Sequence, residues 1–225
     1  MVQNLFLWHN SPMFDSIWNR PFVLICSAVA IGLLTVIYFL QPRPDIENIP
    51  PDLVDILNTN FEKVSNITLI DHNNDAFTSG NLSGKWSFIV FGYTNCPDVC
   101  PTTLLEIDDL ALLLTDPSNK SEKIQYIFVS VDPTRDTTAE LASYLAYFEA
   151  GYIGVTGSEI ALRKFTEQVG IKFSYTELPQ KKYAVNHSSH MVLIDPFGRY
   201  VARFPAPQYA SDIRDWFTKI KKLAL

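Results

Sequence analysis

The apolar residues fall into one long run near the amino terminus and a series of shorter runs after residue 61. Residues 22–40 contain no charged side chain, and at about 1.5 Å per residue a helix of that length just crosses a ~30 Å hydrocarbon core. A cleaved signal peptide is the alternative, but no small-residue cleavage site follows the run. We therefore expect a short cytoplasmic N-terminus (1–20), a transmembrane anchor (21–41) and a Pro-rich tether (42–60).

After residue 61 the pattern alternates between short apolar runs and stripes with helical spacing. The expected strands are residues 67–70, 86–92, 124–131, 191–195 and 200–204. The expected helices are residues 101–115, 137–148, 158–169 and 209–224. Strands that alternate with helices and end in a hairpin predict an α/β domain over residues 61–225, with a mixed central sheet and helices on both faces.

Composition narrows the function classes. The net charge is −6 and the lysines and arginines form no basic block, which argues against nucleic acid as a partner. Three cysteines are too few for a disulfide scaffold. One of them, Cys26, lies inside the long apolar run, whereas Cys96 and Cys100 are only four residues apart. This spacing indicates a reactive or metal-binding pair.

The segment around this pair, residues 92–101, follows an apolar strand and begins an amphipathic helix. The unpaired N–H groups and the positive dipole end of a helix N-terminus stabilise thiolates. Two sulfurs one helical turn apart can share a soft ion such as Cu(I), or Zn, or can form a disulfide. A purely structural disulfide, or two buried thiols, is the alternative interpretation.

A metal bound by two thiolates needs at least one further ligand, and histidine is the usual one. His9 precedes the long apolar run and His72 lies in a polar turn. His187 and His190 stand immediately before the strand expected at Met191, which would lie beside the cysteine strand. One of these two histidines is therefore the expected third ligand, and the residues alone leave open which.

Three segments resemble one known family. Residues 91–101 (FGYTNCPDVCP) are similar to its signature, residues 129–137 (VSVDPTRDT) to a second motif, and residues 195–198 (DPFG) to its closing turn. The chain is identified by these segments as a member of the SCO/SenC family, the thioredoxin-like copper-delivery proteins of cytochrome c oxidase assembly. The resemblance covers nearly the whole chain after the apolar run and implies a thioredoxin-like fold.

The resemblance also implies a ligand set and a partner. Copper, as Cu(I) or Cu(II), would be held by Cys96, Cys100 and His187, with His190 as an additional ligand candidate. Asn186 stands where the family usually has an aspartate, which removes a negative charge beside the site. The implied function is a metallochaperone for the Cu(A) centre, with the copper-bearing oxidase subunit as partner. Another copper chaperone or a thiol-disulfide oxidoreductase is a further candidate partner.

Two other functions use the same residues. A membrane-tethered thiol-disulfide reductase or redox sensor would need Cys96 and Cys100 but not the histidine. A peroxiredoxin-like peroxidase would need an arginine beside a single cysteine, and Arg135 is the candidate, although an ion pair with Asp132 or Asp136 explains it equally. No general base is implied, so we expect a carrier and not an enzyme. A redox-active pair favours a periplasmic domain on a bacterial inner membrane.

Overall fold

The structure, a computed structural model, describes residues 19–40, 49–115 and 123–224. They form two units, residues 19–40 and residues 49–224. The first unit is a single helix, α1 (Asn19–Leu40), whose apolar side chains between Val23 and Val36 are exposed. None of the helices described combines the length and hydropathy of a membrane span, so the predicted transmembrane anchor over residues 21–41 is not confirmed. The predicted cytoplasmic segment lies, up to residue 18, outside the described residues.

In the second unit, residues 49–115 and 123–224 contain nine strands and four α-helices. The strands are β1 (Thr68–Asp71), β2 (Ala76–Thr78), β3 (Trp86–Gly92), β4 (Ile124–Ser130), β5 (Ile153–Thr156), β6 (Phe173–Leu178), β7 (Lys182–His187), β8 (Met191–Ile194) and β9 (Tyr200–Phe204). The helices are α2 (Val99–Leu114), α3 (Thr138–Leu145), α4 (Glu159–Gln168) and α5 (Ala210–Ala224). Seven of the strands form one sheet in the order β2-β1-β5-β4-β3-β8-β9, and β6 pairs with β7 in a separate sheet of two strands.

Strand β3, which leads into the cysteine segment, lies inside the large sheet between β4 and β8. It runs parallel to β4, with Trp86 opposite Ile124, and antiparallel to β8, with Val90 opposite Met191. All seven of its residues are buried, as expected of a strand that is covered on both faces. On one face lie buried side chains of α2, α3 and α5, and on the other lie those of α4 and the β6–β7 hairpin. The predicted mixed sheet with helices on both faces is confirmed.

The structure extends the sequence prediction in three places. Strands β2 and β5 and the β6–β7 hairpin were not predicted, although each belongs to a sheet. Residues 49–60 were assigned to a tether, but Leu53, Ile56 and Leu57 are buried in the core. The packed domain therefore begins before residue 61. His72, which the sequence places in a polar turn, is partly buried, and its Nδ1 accepts a hydrogen bond from the Gly154 N–H at 2.9 Å.

Phe217 on α5 anchors one face of the sheet, because its ring packs edge-on against Trp86 and Phe88, with centroid distances of 5.1 Å to each. Phe217→Ala should lower the free energy of unfolding by about 3–5 kcal/mol, since it removes a fully buried ring and leaves a cavity. Tyr147→Ala is the matched control: this side chain is 85% exposed, so the expected change is below about 0.5 kcal/mol. Urea unfolding of the purified chain measures both changes in the free energy of unfolding. Equal changes for the two variants would contradict the conclusion that Phe217 anchors this face of the sheet.

Candidate metal site

The two cysteines lie where β3 gives way to α2. Strand β3 ends at Gly92, a loop follows, and α2 begins at Val99, so Cys96 is in the loop and Cys100 is the second residue of the helix. The Cys100 N–H donates to Cys96 Sγ at 3.4 Å, as a helix N-terminus does to an acceptor. Both cysteines are free thiols in this structure. The predicted strand–loop–helix setting of the pair is therefore confirmed.

Gly92 allows the second sulfur to pack against the end of the strand. A Cβ at this position would lie 2.8 Å from Cys100 Sγ and 2.9 Å from the Phe128 ring. Both distances are shorter than real Cβ contacts allow, so any side chain here would push the thiol away from the sheet. The glycine in the motif is thus explained by the close approach of Cys100.

The two thiols have different acidities. Burial raises the pKa of Cys96, but the backbone N–H groups of Cys100, Asp98 and Val99 outweigh that effect and hold the pKa below its ordinary value. Cys100 is only 2% exposed, and this burial, together with the neighbouring Cys96 sulfur, raises its pKa to about 12. Cys96 is therefore the partly exposed sulfur that ionises first, and Cys100 holds its proton more tightly.

His187 comes from the end of β7 and reaches the cysteine helix. Its Nε2 lies 3.8 Å from Cys100 Sγ, and its Nδ1 lies 3.0 Å from the Ser188 carbonyl oxygen. Because a carbonyl oxygen only accepts, Nδ1 must carry the hydrogen, which leaves the Nε2 lone pair facing the sulfur. Burial lowers the pKa of His187, so the imidazole is neutral near pH 7, as a metal ligand must be.

Two thiol sulfurs and an imidazole are donors that suit a soft ion such as Cu(I). Cys96 and His187 line a cleft of about 350 Å³, whose walls also include Tyr93 and Asn186. Within residues 19–40, 49–115 and 123–224, no three His, Cys, Asp or Glu side chains are already arranged as a metal site. The Cys100–His187 contact is in place, so completing such a site would require a side-chain adjustment in the cysteine loop.

The other two residues weighed in the sequence have different surroundings. The His190 Nδ1 is buried and has no partner among the described residues. Burial and the nearby charge of Arg203 lower the pKa of His190, and a positive neighbour is unfavourable for a cation site. Asn186 Nδ2 donates to Thr176 Oγ1 at 2.9 Å across the hairpin. The described contacts thus bring His187, and not His190, to Cys100.

Asp136, which the sequence offered only as an ion-pair partner of Arg135, supports this site. Asp136 is fully buried and accepts hydrogen bonds from the Thr94 N–H (2.9 Å), Thr94 Oγ1 (2.6 Å) and Ser130 Oγ (2.6 Å). It therefore fixes the cysteine loop. Arg135, which a peroxidase would need beside a cysteine, instead pairs with Asp132. Both acids lie in the second motif, so the motif was visible in the sequence but the role of its acids was not.

This chain is similar in sequence and structure to proteins of one known family. The SCO1/SenC family profile matches residues 58–224. An SCO2-like protein of Rickettsia conorii is 32% identical over 185 residues, which cover 81% of this chain and 87% of the relative. A crystal structure of yeast Sco1 with copper bound has 29% identity and a TM-score of 0.65, covering 73% of this chain and 91% of that one.

A second solved structure is similar to this chain. Bradyrhizobium japonicum ScoI with copper bound has 30% identity and a TM-score of 0.61, and the match covers 72% of this chain and 99% of that one. The predicted thioredoxin-like α/β fold is thereby confirmed for the domain. Since the family profile spans well over half of the sequence, the chain belongs to the SCO1/SenC family.

Proposed function

We propose that this protein is a copper carrier that binds the metal through Cys96, Cys100 and His187 and delivers it to the Cu(A) centre of a terminal cytochrome c oxidase. The observation that carries the proposal is the approach of His187 Nε2 to Cys100 Sγ at 3.8 Å. These residues are 87 positions apart in the chain, and a neutral imidazole facing a buried thiol is the arrangement that a soft-metal site needs.

The relatives support copper as the cargo. The yeast and Bradyrhizobium structures were solved with copper bound, and this chain offers two thiols and an imidazole, which are donors that suit copper. Binding requires both thiols to lose their protons, and since burial raises the pKa of Cys100 to about 12, loading the site releases a proton at neutral pH. Copper therefore binds more tightly as pH rises toward that value.

Delivery to a partner requires an accessible sulfur. Cys96 is partly exposed and lines the surface cleft, whereas Cys100 is buried. An incoming thiolate from the oxidase subunit, or from another copper chaperone, can approach the metal from the Cys96 side. Ligand exchange there lets the ion move without leaving protein ligands, which suits a carrier more than a store.

A thiol-disulfide reductase is the second candidate, and the difference between the two thiols favours it. An exposed cysteine of lowered pKa beside a buried cysteine of raised pKa resembles an attacking and a resolving thiol. In this function Cys96 attacks a disulfide of the oxidase subunit, and Cys100 then displaces the reduced partner as the Cys96–Cys100 disulfide forms. The imidazole of His187 has no necessary part in that exchange.

We further propose that the chain is anchored by a single pass in a bacterial inner membrane, with the copper-binding domain in the periplasm. The support is the helix α1, 22 residues long, whose apolar side chains are exposed, because exposed apolar surface of that extent is stable in contact with lipid. The periplasm is the compartment in which a redox-active cysteine pair is useful.

The ligand set is tested by Cu(I) affinity of purified variants. Cys96→Ser or Cys100→Ser should abolish tight binding, since one thiolate and one imidazole make a poor site for a soft ion. His187→Ala should leave a two-sulfur site with an affinity reduced about 10–100-fold. His190→Ala is the matched control and should bind as the unchanged chain does. A loss confined to His190→Ala would transfer the ligand role to His190.

The carrier and the reductase make opposite demands on His187. A His187→Ala strain should lose oxidase activity under copper limitation, and added copper should restore part of it, because mass action compensates for a weaker carrier. A reductase would keep full activity in this strain, and its cysteine variants would be rescued by an external thiol reductant. Wild-type oxidase activity in the His187→Ala strain would contradict the carrier function and favour the reductase function.

The topology is tested by reporters fused after residue 225. A periplasm-specific reporter should be active and a cytoplasm-specific one inactive, and alkaline extraction should leave the protein in the membrane pellet. Replacing Ile25, Val29 and Leu33, which are more than half exposed on α1, with lysines should release the chain from the membrane, because charges at the centre of a span are costly. Activity of the cytoplasmic reporter alone would contradict this topology.

A further inference from the structure

The hairpin that carries His187 is joined to the rest of the domain chiefly through side chains. Strands β6 and β7 pair with each other, and neither pairs with a strand of the seven-stranded sheet. The cysteines, in contrast, lie in the loop after β3 and in the first turn of α2, and β3 is paired on both sides within the large sheet. The distance between His187 and Cys100 therefore depends on whatever fixes the hairpin to the domain.

The hairpin makes short polar contacts with the domain through two tyrosine hydroxyls. Tyr175 on β6 donates to the Val131 carbonyl oxygen at 2.7 Å, and Tyr183, at the other end of β7, makes the second contact. Its hydroxyl donates to Asp132 Oδ1 at 2.6 Å, and Asp132 is fully buried. The Arg135 Nε donates to the second carboxylate oxygen, and the Arg135 guanidinium lies 4.2 Å from the centre of the Tyr183 ring. A hydrogen bond to a buried acid and a cation–π contact thus hold one side chain.

Tyr183 and His187 lie on the same face of β7, because side chains alternate along a strand. Val185, between them, is buried in the core on that face, whereas Asn186 is exposed. Four residues of extended chain span roughly 13 Å and change length very little. Fixing the Tyr183 hydroxyl at Asp132 therefore fixes the orientation of the strand that ends in His187.

Residues 131–137, which include Asp132 and Arg135, also contact the opposite side of the cleft. Asp136 accepts two hydrogen bonds from Thr94 in the cysteine loop. Arg135 lies 5.7 Å from the centre of the Tyr93 ring, and that ring packs edge-on against His187 at 5.9 Å. One short segment, residues 131–137, thus contacts both the part of the chain that supplies the sulfurs and the part that supplies the imidazole.

We propose that Tyr183 is a positioning residue for the metal site: through Asp132 and Arg135 it holds His187 at Cys100, and so sets copper affinity without touching the metal. The proposal deepens the proposed function and rests on His187 being a ligand. Misplacing a ligand by a fraction of an ångström weakens a metal site, which is why supporting contacts count almost as much as the ligands.

The test is a double-mutant cycle on the purified full chain in detergent, read out as Cu(I) affinity by competition with a chromophoric chelator. Tyr183→Phe removes the hydroxyl and keeps the ring over Arg135, and we expect affinity to fall about 10-fold, the lower limit for a supporting contact. In a His187→Ala background, Tyr183→Phe should cause no further loss, because the ligand it positions is already absent.

Tyr152→Phe is the matched control. Its hydroxyl also donates a hydrogen bond, to the Leu104 carbonyl oxygen at 2.7 Å, and its ring is more deeply buried than that of Tyr183. Thermal unfolding should therefore show at least as large a loss of stability for Tyr152→Phe as for Tyr183→Phe, whereas only Tyr183→Phe should weaken copper binding. In the Cu(II) form, Tyr183→Phe should also shift the thiolate-to-copper absorption, and Tyr152→Phe should not.

Full affinity in Tyr183→Phe would overturn the proposal. An equal loss with and without His187 would also overturn it, since Tyr183 would then act through the stability of the domain. If His187→Ala itself binds copper as tightly as the unchanged chain, the ligand set fails and the positioning role fails with it. That result is recognised from the single His187 variant alone, so the two failures are distinguishable.

Discussion

The buried carboxylates of Asp132 and Asp136 hold together two parts of the chain that the backbone ladder of the sheet leaves separate. A carboxylate removed from water is costly unless donors surround it. Asp136 finds these donors in Thr94 and Ser130, and Asp132 finds them in Tyr183 and Arg135. The hydrogen bonds to these two carboxylates therefore fix the cysteine loop on one side of the cleft and the β6–β7 hairpin on the other.

The burial that brings Cys100 and His187 together also sets their protonation. Burial disfavours charge on both, so the pKa of Cys100 is raised to about 12 and the pKa of His187 is lowered. Both groups are consequently neutral at physiological pH. Two neutral groups can lie in contact without repulsion, and in the proposed carrier a bound metal ion would replace the Cys100 proton.

The sequence predicted the parts of the fold in which local pattern and tertiary role agree. The continuous apolar run of β3 and the motif that follows it identified the strand, the helix and the cysteine pair. The hairpin was missed because most of β6 and β7 is exposed or half-exposed, so no apolar run marks it. Its turn depends on Gln180, which adopts a positive φ of 65°, a conformation that glycine or asparagine would have signalled more clearly.

Other features needed tertiary information. Leu53, Ile56 and Leu57 have the spacing of one helical face, but the surrounding prolines suggested a tether, and only packing against the sheet shows that they belong to the core. For the ligand, the resemblance selected His187 over His190, and its position at the end of β7 follows from the hairpin. The role of Asp132 could not be derived, because its partner Tyr183 is 51 residues away.

The two proposed functions require different states of Cys96 and Cys100. A carrier needs them as thiolates, whereas a reductase converts them from thiols to a disulfide. A disulfide between Cys96 and Cys100 has no thiolate to offer, so oxidation of the pair removes the metal site, and bound metal in turn protects the pair from oxidation. Each state excludes the other in a single molecule. In the proposed carrier, His187 would favour the metal-bound state only, since it would add a ligand to the thiolates and nothing to the disulfide. A contact that holds His187 at Cys100 would then shift the protein toward carrying metal, so the two proposed functions differ most in what they require of the hairpin that bears this histidine.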